Sequence, residues 1–450
     1  MERVVENVRL IAENDYCISC GACKHACPHT EIRIELNPAK GFYEPVVNDS
    51  TACVTCETRP CLLVCPSYEE DFVQLANWTD AAQRIGPYHF LYTGHSTSSD
   101  IRTRASSGGV IKELCRYYLD KGIVDAVITL RHVKGLEYEP DLYTTSEDIL
   151  HTPGSIYHNI NFEKAIGILK TTPGRFVLVA TPCQLTSIHK FKSVGLDQFL
   201  GQIEVAIGLI CGWTFSRHSL RHFSRAMGVD CTDLQDVTYR GGDRVGPLTL
   251  KTGEQTRSFS RRPKYLTDKH AIPFKIAFSR TYNAKRCLLC VEHLNHLADI
   301  AVGDAWLKAF KDDKFGTSII IVRNPEINTT LQELAALGRV KLAIAAEEDV
   351  IESQGKDLAL GISAQQIINK LVLKGKFAPK YKLPCPETDL PSARIWYKNY
   401  LRPLWFRYLT WNGFGRGLFA VRVFWYHLSF WALLPFRMAR KRLRALLDRL

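Results

Sequence analysis

Two cysteine runs near the N-terminus constrain this 450-residue chain more than anything else in it. The first reads Cys17-Ile-Ser-Cys20-Gly-Ala-Cys23-Lys-His-Ala-Cys27-Pro28, and the second reads Cys53-Val-Thr-Cys56-Glu-Thr-Arg-Pro-Cys61-Leu-Leu-Val-Cys65-Pro66. Three thiolates two residues apart wrap one face of an iron–sulfur cube, and the fourth, followed by proline, ligates the neighbouring cube. That spacing assigns Cys17, Cys20, Cys23 and Cys65 to one [4Fe-4S] cluster, and Cys53, Cys56, Cys61 and Cys27 to its twin. Four residues rather than two separate Cys56 from Cys61, so that loop should bulge. Zinc is the alternative, and it usually closes a tetrahedron with two separated CxxC pairs. Two successive four-cysteine runs, each ending in Cys-Pro, do not suit it. Such a chain moves electrons.

Residues 1–75 therefore read as a two-cluster, ferredoxin-like unit, with alternating pieces such as Ile32-Arg-Ile-Glu-Leu36 as short hairpin strands. A chain of 450 residues predicts two or three domains. Fifteen cysteines, an odd count with eight in the runs, argue against a secreted disulfide framework and for a reducing cytosol. The N-terminus, Met-Glu-Arg-Val-Val-Glu-Asn, has no apolar stretch of the signal-peptide kind, so none is expected. The net charge of +12 is unevenly placed. From Pro391 to Leu450 twelve Lys or Arg stand against one acidic residue, Asp448, leaving 46 against 45 for the rest. A near-neutral body with a basic tail disfavours a nucleic-acid binder, whose positive face would lie on the folded domains.

Residues 76–100 read as a linker. At Arg102-Thr-Arg104-Ala-Ser106-Ser107-Gly108-Gly109-Val110 a loop feeds a helix running to about Lys121, which Ser106 or Ser107 is expected to cap. Glycines there let a ligand approach the backbone, and free N–H groups beside arginines suit phosphate. The apolar runs Ala126–Leu130, Phe176–Ala180 and Glu204–Ile210 alternate with helical segments and predict an α/β core with buried strands. Thr181-Pro182-Cys183-Gln184 and Cys211-Gly-Trp213 follow two of those strands, where ligands sit in α/β folds. With Cys287-Leu-Leu-Cys290, the thiols of Cys183 and Cys211 make a candidate third four-thiolate site. Buried structural thiols are the plainer reading of Cys183 and Cys211.

From about Asp100 to Asn328 the chain resembles the beta-subunit family of coenzyme F420 hydrogenases and dehydrogenases. The matching pieces are Ser106–Val110, Gly154-Ser-Ile-Tyr157, Thr181–Gln184, Cys211–Trp213, Tyr239-Arg240 and Arg286–Cys290, then Ala298–Trp306 and Gly316–Arg323. Ile156, Ala180 and Glu292 depart from the pattern. The resemblance implies two beta-subunit-type domains (101–200 and 201–380), FAD in the α/β core, and a [4Fe-4S] cluster on Cys183, Cys211, Cys287 and Cys290. It also implies a binding face for coenzyme F420 or another two-electron partner. Residues expected to contact the flavin are Arg104, Ser106, Ser107, Gly108, Gly109, Ser155 and Tyr157, with Thr181, Gln184 and Asp304. Core packing is the plain alternative for Tyr157 and Trp306, a helix cap for Asp304, and a surface position for Lys285 and Arg286.

Beyond residue 328, helices around Thr330–Leu337 and Ala364–Leu373 should close the second domain. A proline-punctuated linker, Lys382–Pro391, precedes a tail (391–450) with five of the eight tryptophans. Its stretch Leu418–Phe436 is apolar but contains Arg422 and His427. A crossing helix needs about 20 apolar residues, so a helix lying on an anionic membrane surface fits better. The alternative is a helical lid on the protein or a partner. The expected protein is a multidomain α+β and α/β iron–sulfur flavoprotein on the cytoplasmic side, with ferredoxin or a partner subunit as redox partner. Its expected substrate is a small organic acceptor. Two rival readings are a non-catalytic electron-transfer subunit, and a membrane-attached reductase of an envelope, polysaccharide or lipid-linked intermediate.

Overall fold

The computed structural model describes residues 7–48, 50–80, 84–240, 246–253, 255–260, 280–384 and 389–405. Its strands, in chain order, are β1 (Ile32–Asn37), β2 (Phe42–Val47), β3 (Glu69–Asp71), β4 (Phe90–Ser96), β5 (Ala126–Lys134), β6 (Glu137–Tyr143), β7 (Phe176–Ala180) and β8 (Ile203–Leu209). They continue as β9 (Asp236–Thr238), β10 (Pro247–Lys251), β11 (Thr256–Ser260), β12 (Ile300–Asp304), β13 (Ser318–Val322), β14 (Val340–Ile344) and β15 (Lys380–Lys382).

Eight of them form one mixed sheet in the order β14-β4-β13-β12-β8-β7-β5-β6. The middle pairs β5/β7, β7/β8 and β8/β12 are parallel, and the remaining pairs are antiparallel. Runs rich in Val and Ile make these strands because both faces are covered, so alternation is not needed. Ala126, Ile128, Phe176, Leu178, Ala180 and Ala206 face the helices Glu163–Thr171 and Pro182–His189. Val127, Val177, Val205, Ile207, Val302 and Ile320 face Val110–Asp120 and Pro325–Ala336. Each such buried side chain contributes on the order of 1.5–3 kcal/mol. The sheet draws strands from both expected domains, 101–200 and 201–380.

Three further expectations meet the structure differently. The stretch read as a linker, 76–100, contains β4, an interior strand of the sheet. Gly94 and the Ser-Thr-Ser that follows disguise it, but Gly94 lies where Leu342 and the Lys341 carbonyl leave no room for a Cβ. The helices expected near Thr330 and Ala364 are longer, at Pro325–Ala336 and Glu347–Leu373. The N-terminal unit holds its expected hairpin, β1 against β2, but β3 pairs in parallel with β15, more than 300 residues away. Of the basic tail, residues up to Trp405 are described, including the short helix Ala393–Trp396 capped by Ser392. The surface-lying helix expected over Leu418–Phe436 lies outside the described residues. Among the described residues no helix is long and apolar enough to cross a membrane.

Candidate functional site

Two antiparallel steps, β12 to β13 and β13 to β4, leave β4 parallel to β12. The carboxyl ends of β4, β7, β8 and β12 therefore emerge at one edge, the usual crevice of α/β sheets. The loop Ala105–Gly109 follows β4, Thr181-Pro-Cys follows β7, Cys211-Gly-Trp follows β8, and Trp306 follows β12.

The expected serine caps are not made. Gly109, left-handed at φ 82°, is the N-cap of Val110–Asp120, and no side chain caps that helix. The two hydroxyls are engaged elsewhere. Ser106 Oγ accepts the Ser155 amide at 2.7 Å, and Ser107 Oγ lies 3.1 Å from Ser318 Oγ. Gly108 N–H donates to Ser318 Oγ at 3.1 Å, and a Cβ on Gly108 would stand 2.6 Å from the Gly94 carbonyl. Gly154 is equally tight against Ser106 Oγ, at 2.6 Å. Lys112, buried in the following helix, donates to the carbonyls of Ile149, Leu150 and Thr152 and so pins the loop that carries Gly154 and Ser155. Sequence reading missed Lys112, because one lysine in an amphipathic helix looks like surface. Arg104 is partly exposed and pairs with Asp100 at 3.0 Å. Gly108 and Gly154 are thus packed against the protein's own atoms, and they set the shape of the loop beside the exposed Arg104 guanidinium rather than opening backbone to a ligand as expected.

Gln184 and Thr181 form a capping box, in which the Thr181 amide donates to Gln184 Oε1 at 2.8 Å. Asp304 is no helix cap. Its carboxylate takes both terminal nitrogens of buried Arg240, at 2.5 and 2.7 Å. The Arg240 guanidinium lies 5.7 Å from the Trp306 ring. Trp306 is 45% exposed, so core packing does not describe it. Tyr157 stands edge-on to Tyr239 at 5.2 Å.

At the same edge, Cys183 and Cys211 leave neighbouring strands, and Cys287 and Cys290 come from the loop before β12. Burial, then the nearby charges of Cys287 and Cys290, drive the Cys183 thiol far up. Burial, then Cys183, Cys287 and Cys290, does the same to Cys211. The four thiols thus stand within electrostatic reach of one another, beside buried Leu288 and Leu289. A folded-in segment braces them. The Glu292 carboxylate accepts the amides of Asn295 and His296, and Asn295 Nδ2 donates to the carbonyls ending β7 and β8, Ala180 and Leu209. Cys211 N–H donates to the His293 carbonyl at 3.0 Å, and His293 Nδ1 donates to the Cys211 carbonyl at 2.8 Å.

Burial, then Cys20, Cys17, Cys65 and Cys61, raises the Cys23 thiol, and burial with Cys20 holds Cys65 at about 12. Burial, then Cys27, Cys56 and Cys53, pushes Cys61 up to about 11. Cys27, Cys53, Cys56 and Cys61 line one small cavity of about 20 Å³. The expected bulge between Cys56 and Cys61 is carried by Arg59, left-handed at φ 42°, before the helix Pro60–Leu63. Backbone N–H groups reach the sulfurs, as from Ser19 to Cys17 at 3.3 Å. Among the described residues no three His, Cys, Asp or Glu side chains gather tightly enough to hold a single metal ion. Zinc, with Zn–S bonds of about 2.3 Å, draws its thiolates closer than an iron–sulfur cube does. Buried thiols that repel one another fit a cationic metal core, which stabilises their thiolate forms.

Arg286 was expected at the surface. It is 2% exposed and donates to the Pro66 carbonyl at 3.1 Å and to Glu70 at 3.2 Å. Lys285 reaches the Asn14 carbonyl and covers the Tyr16 ring.

Residues 91–167 match the family model for the coenzyme F420 hydrogenase/dehydrogenase beta subunit N-terminus, and residues 174–348 match the model for its C-terminus. The coenzyme F420 hydrogenase subunit beta of Methanothermobacter thermautotrophicus is 23% identical over 254 residues, covering 52% of this chain and 81% of its own. The F420-dependent formate dehydrogenase subunit beta of Methanocaldococcus jannaschii is 25% identical over 314 residues, with 68% and 72% covered. In fold, the chain is similar to one in the F420-reducing [NiFe] hydrogenase complex of Methanosarcina barkeri. The TM-score is 0.50 at 17% identity, covering 64% of this chain and 95% of that one. With both halves of the sheet and the loops at its edge inside the matched residues, the chain belongs to the coenzyme F420 hydrogenase/dehydrogenase beta-subunit family.

Proposed function

We propose that this protein is an iron–sulfur flavoprotein that carries electrons from a redox partner to an organic two-electron acceptor of the F420 class, or back. The observation that supports it is the succession of the three thiol sets. Cys61 adds to the crowding at Cys23, and Arg286 faces both Cys65 of the first run and Cys183 and Cys290 of the core. The names of the relatives, hydrogenase and formate dehydrogenase subunits, support a place within a larger oxidoreductase.

Clusters bound there would pass single electrons, and a flavin would exchange them for two-electron chemistry. The chain's own residues divide the remaining work. Cys53, Cys56, Cys61 and Cys27 hold the outer set, next to exposed Val54 and Leu63, where a partner docks. Cys17, Cys20, Cys23 and Cys65 hold the inner set, and Cys183, Cys211, Cys287 and Cys290 the core set. Leu288 and Leu289, between Cys287 and Cys290, pack into the apolar cluster that contains Cys23 and Cys61. Gly108, Gly109 and Gly154 let the loop pack closely on its neighbours, Ser106, Ser107 and Ser155 shape the approach of the flavin diphosphate, and Arg104 neutralises its charge. Tyr157 and the Asp304–Arg240 pair border the ring, and Thr181 and Gln184 fix the loop that presents Cys183.

Anaerobic purification with iron, sulfide and flavin assays tests this directly. About twelve irons and one flavin per chain are expected, and about four irons with no flavin would refute the enzyme. A flavin that photoreduces yet passes electrons to no F420, quinone or nicotinamide would favour a relay-only subunit.

A further inference from the structure

We propose that Arg286 is the positioning residue of the junction between the N-terminal relay and the core, tuning the inner and core clusters together. This rests on the cluster assignments above. Arg286 precedes Cys287 in the chain and donates to the carbonyl of Pro66, the residue after Cys65. The route from an inner-set ligand to a core-set ligand is thus two peptide links, the Arg286 side chain and one hydrogen bond.

The surroundings isolate that cation. Arg286 lies 5.1 Å from the centroid of the Tyr381 ring, and Glu70, its carboxylate partner among the described residues, is 1% exposed. Glu70 is itself bracketed, since Lys190 donates to the neighbouring Glu69 carbonyl. One N–H of Arg286, at Nε, is buried without a hydrogen-bond partner among the described residues. A guanidinium keeps its charge throughout the working pH range. A fixed cation in a dry site stabilises whichever neighbour has gained an electron, so both adjoining potentials rise together. The outer set lies beyond the inner one and feels this charge least. Glu70 and Tyr381 both fall outside the residues matched by the two family models, so the junction joins the matched core to the segments on either side of it.

The test is a low-temperature EPR redox titration of the full chain, purified anaerobically, with Cys56→Ser identifying the outer cluster's signal. Arg286→Met should lower the potentials of two clusters and leave the outer one in place, and Arg286→Lys should recover part of the shift. Burial pushes the Glu70 carboxyl up to about 7, so the titrations are run at about pH 8.5, where Glu70→Gln removes the opposing charge, keeps the size, and should move the same two potentials upward. Should Arg286→Met fail to hold iron, Glu70→Gln decides alone. Unmoved potentials in a variant with full iron, or equal movement of all three, overturn the proposal. Wild-type protein without about twelve irons would instead overturn the assignments beneath it.

Discussion

Gly108→Ala offers the sharpest test of the glycine loop. The added Cβ would meet the Gly94 carbonyl at 2.6 Å, Ser318 Oγ at 2.9 Å and Ser318 N at 3.0 Å, where ordinary contact begins at 3.4 Å. Two of these atoms are backbone of β4 and β13, paired at Gly94 and Ser318, so the loop must move rather than the sheet. The move of about 0.8 Å breaks the bond from Gly108 N–H to Ser318 Oγ and strains the one from Ser96 N–H to the Gly108 carbonyl. Overpacking costs about 1–3 kcal/mol, and a lost hydrogen bond costs about 0.5–1.5 kcal/mol. A flavin that needs the native loop must draw it back, so affinity should fall roughly five- to 150-fold for 1–3 kcal/mol. Titration of flavin into stripped protein, followed by fluorescence quenching, reads that loss. Gly122→Ala is the control, because its φ of +62° carries strain but nothing lies within 4 Å. It should cost about 1 kcal/mol in stability and leave flavin affinity alone. Wild-type affinity in Gly108→Ala, or equal loss in Gly122→Ala, would refute the placement of flavin at this loop.

Cys183→Ser should remove about four of twelve irons, whereas Cys115→Ser should remove none. Cys115 sits in the apolar layer behind the sheet, its thiol pushed up to about 12 by burial. Lys112→Met leaves three buried carbonyls without their shared donor. It should cost about 2–3 kcal/mol, read as a lower melting temperature, and weaken flavin binding through Ser155. His158 donates from Nε2 to the Leu136 carbonyl and accepts the Tyr239 hydroxyl at Nδ1. Burial, then the charge of Arg217, lowers it to about 4, and burial holds His189 near the same value. The unfolded imidazoles protonate near 6.5, so stability is complete above that pH and is lost as pH falls toward 4, by roughly 3 kcal/mol for His158. His158→Gln should flatten the dependence of urea midpoints between pH 7 and 5, and an unchanged slope would contradict the assignment.

The two N-terminal cysteine runs were legible because their spacing is local, each written within about a dozen residues of chain, whereas Cys183, Cys211, Cys287 and Cys290 stand far apart in sequence and were grouped through the family resemblance. The buried parallel strand Phe176–Ala180 was legible too, since it has no polar face to hide. β4 was not, because Thr-Gly-His-Ser reads as loop until β13 and β14 are seen pairing with both its edges. Arg286 escaped for a different reason. Lys285-Arg286 has the composition of a surface turn, and the carboxylate that admits Arg286 to the interior, Glu70, stands 216 residues away. Asp304 likewise met Arg240 from 64 residues off. Local pattern names the donors and acceptors of such pairs but not their partners.

The pairing of β3 with β15 has a consequence for biogenesis. Tyr16 donates to the Phe377 carbonyl, and Ile367, Ile368 and Leu371 pack beside Cys23 and Cys61. The walls around the earliest-made cysteines are thus supplied by some of the later-made residues. On a ribosome, the packing around those cysteines is therefore incomplete until the strand at residues 380–382 has emerged.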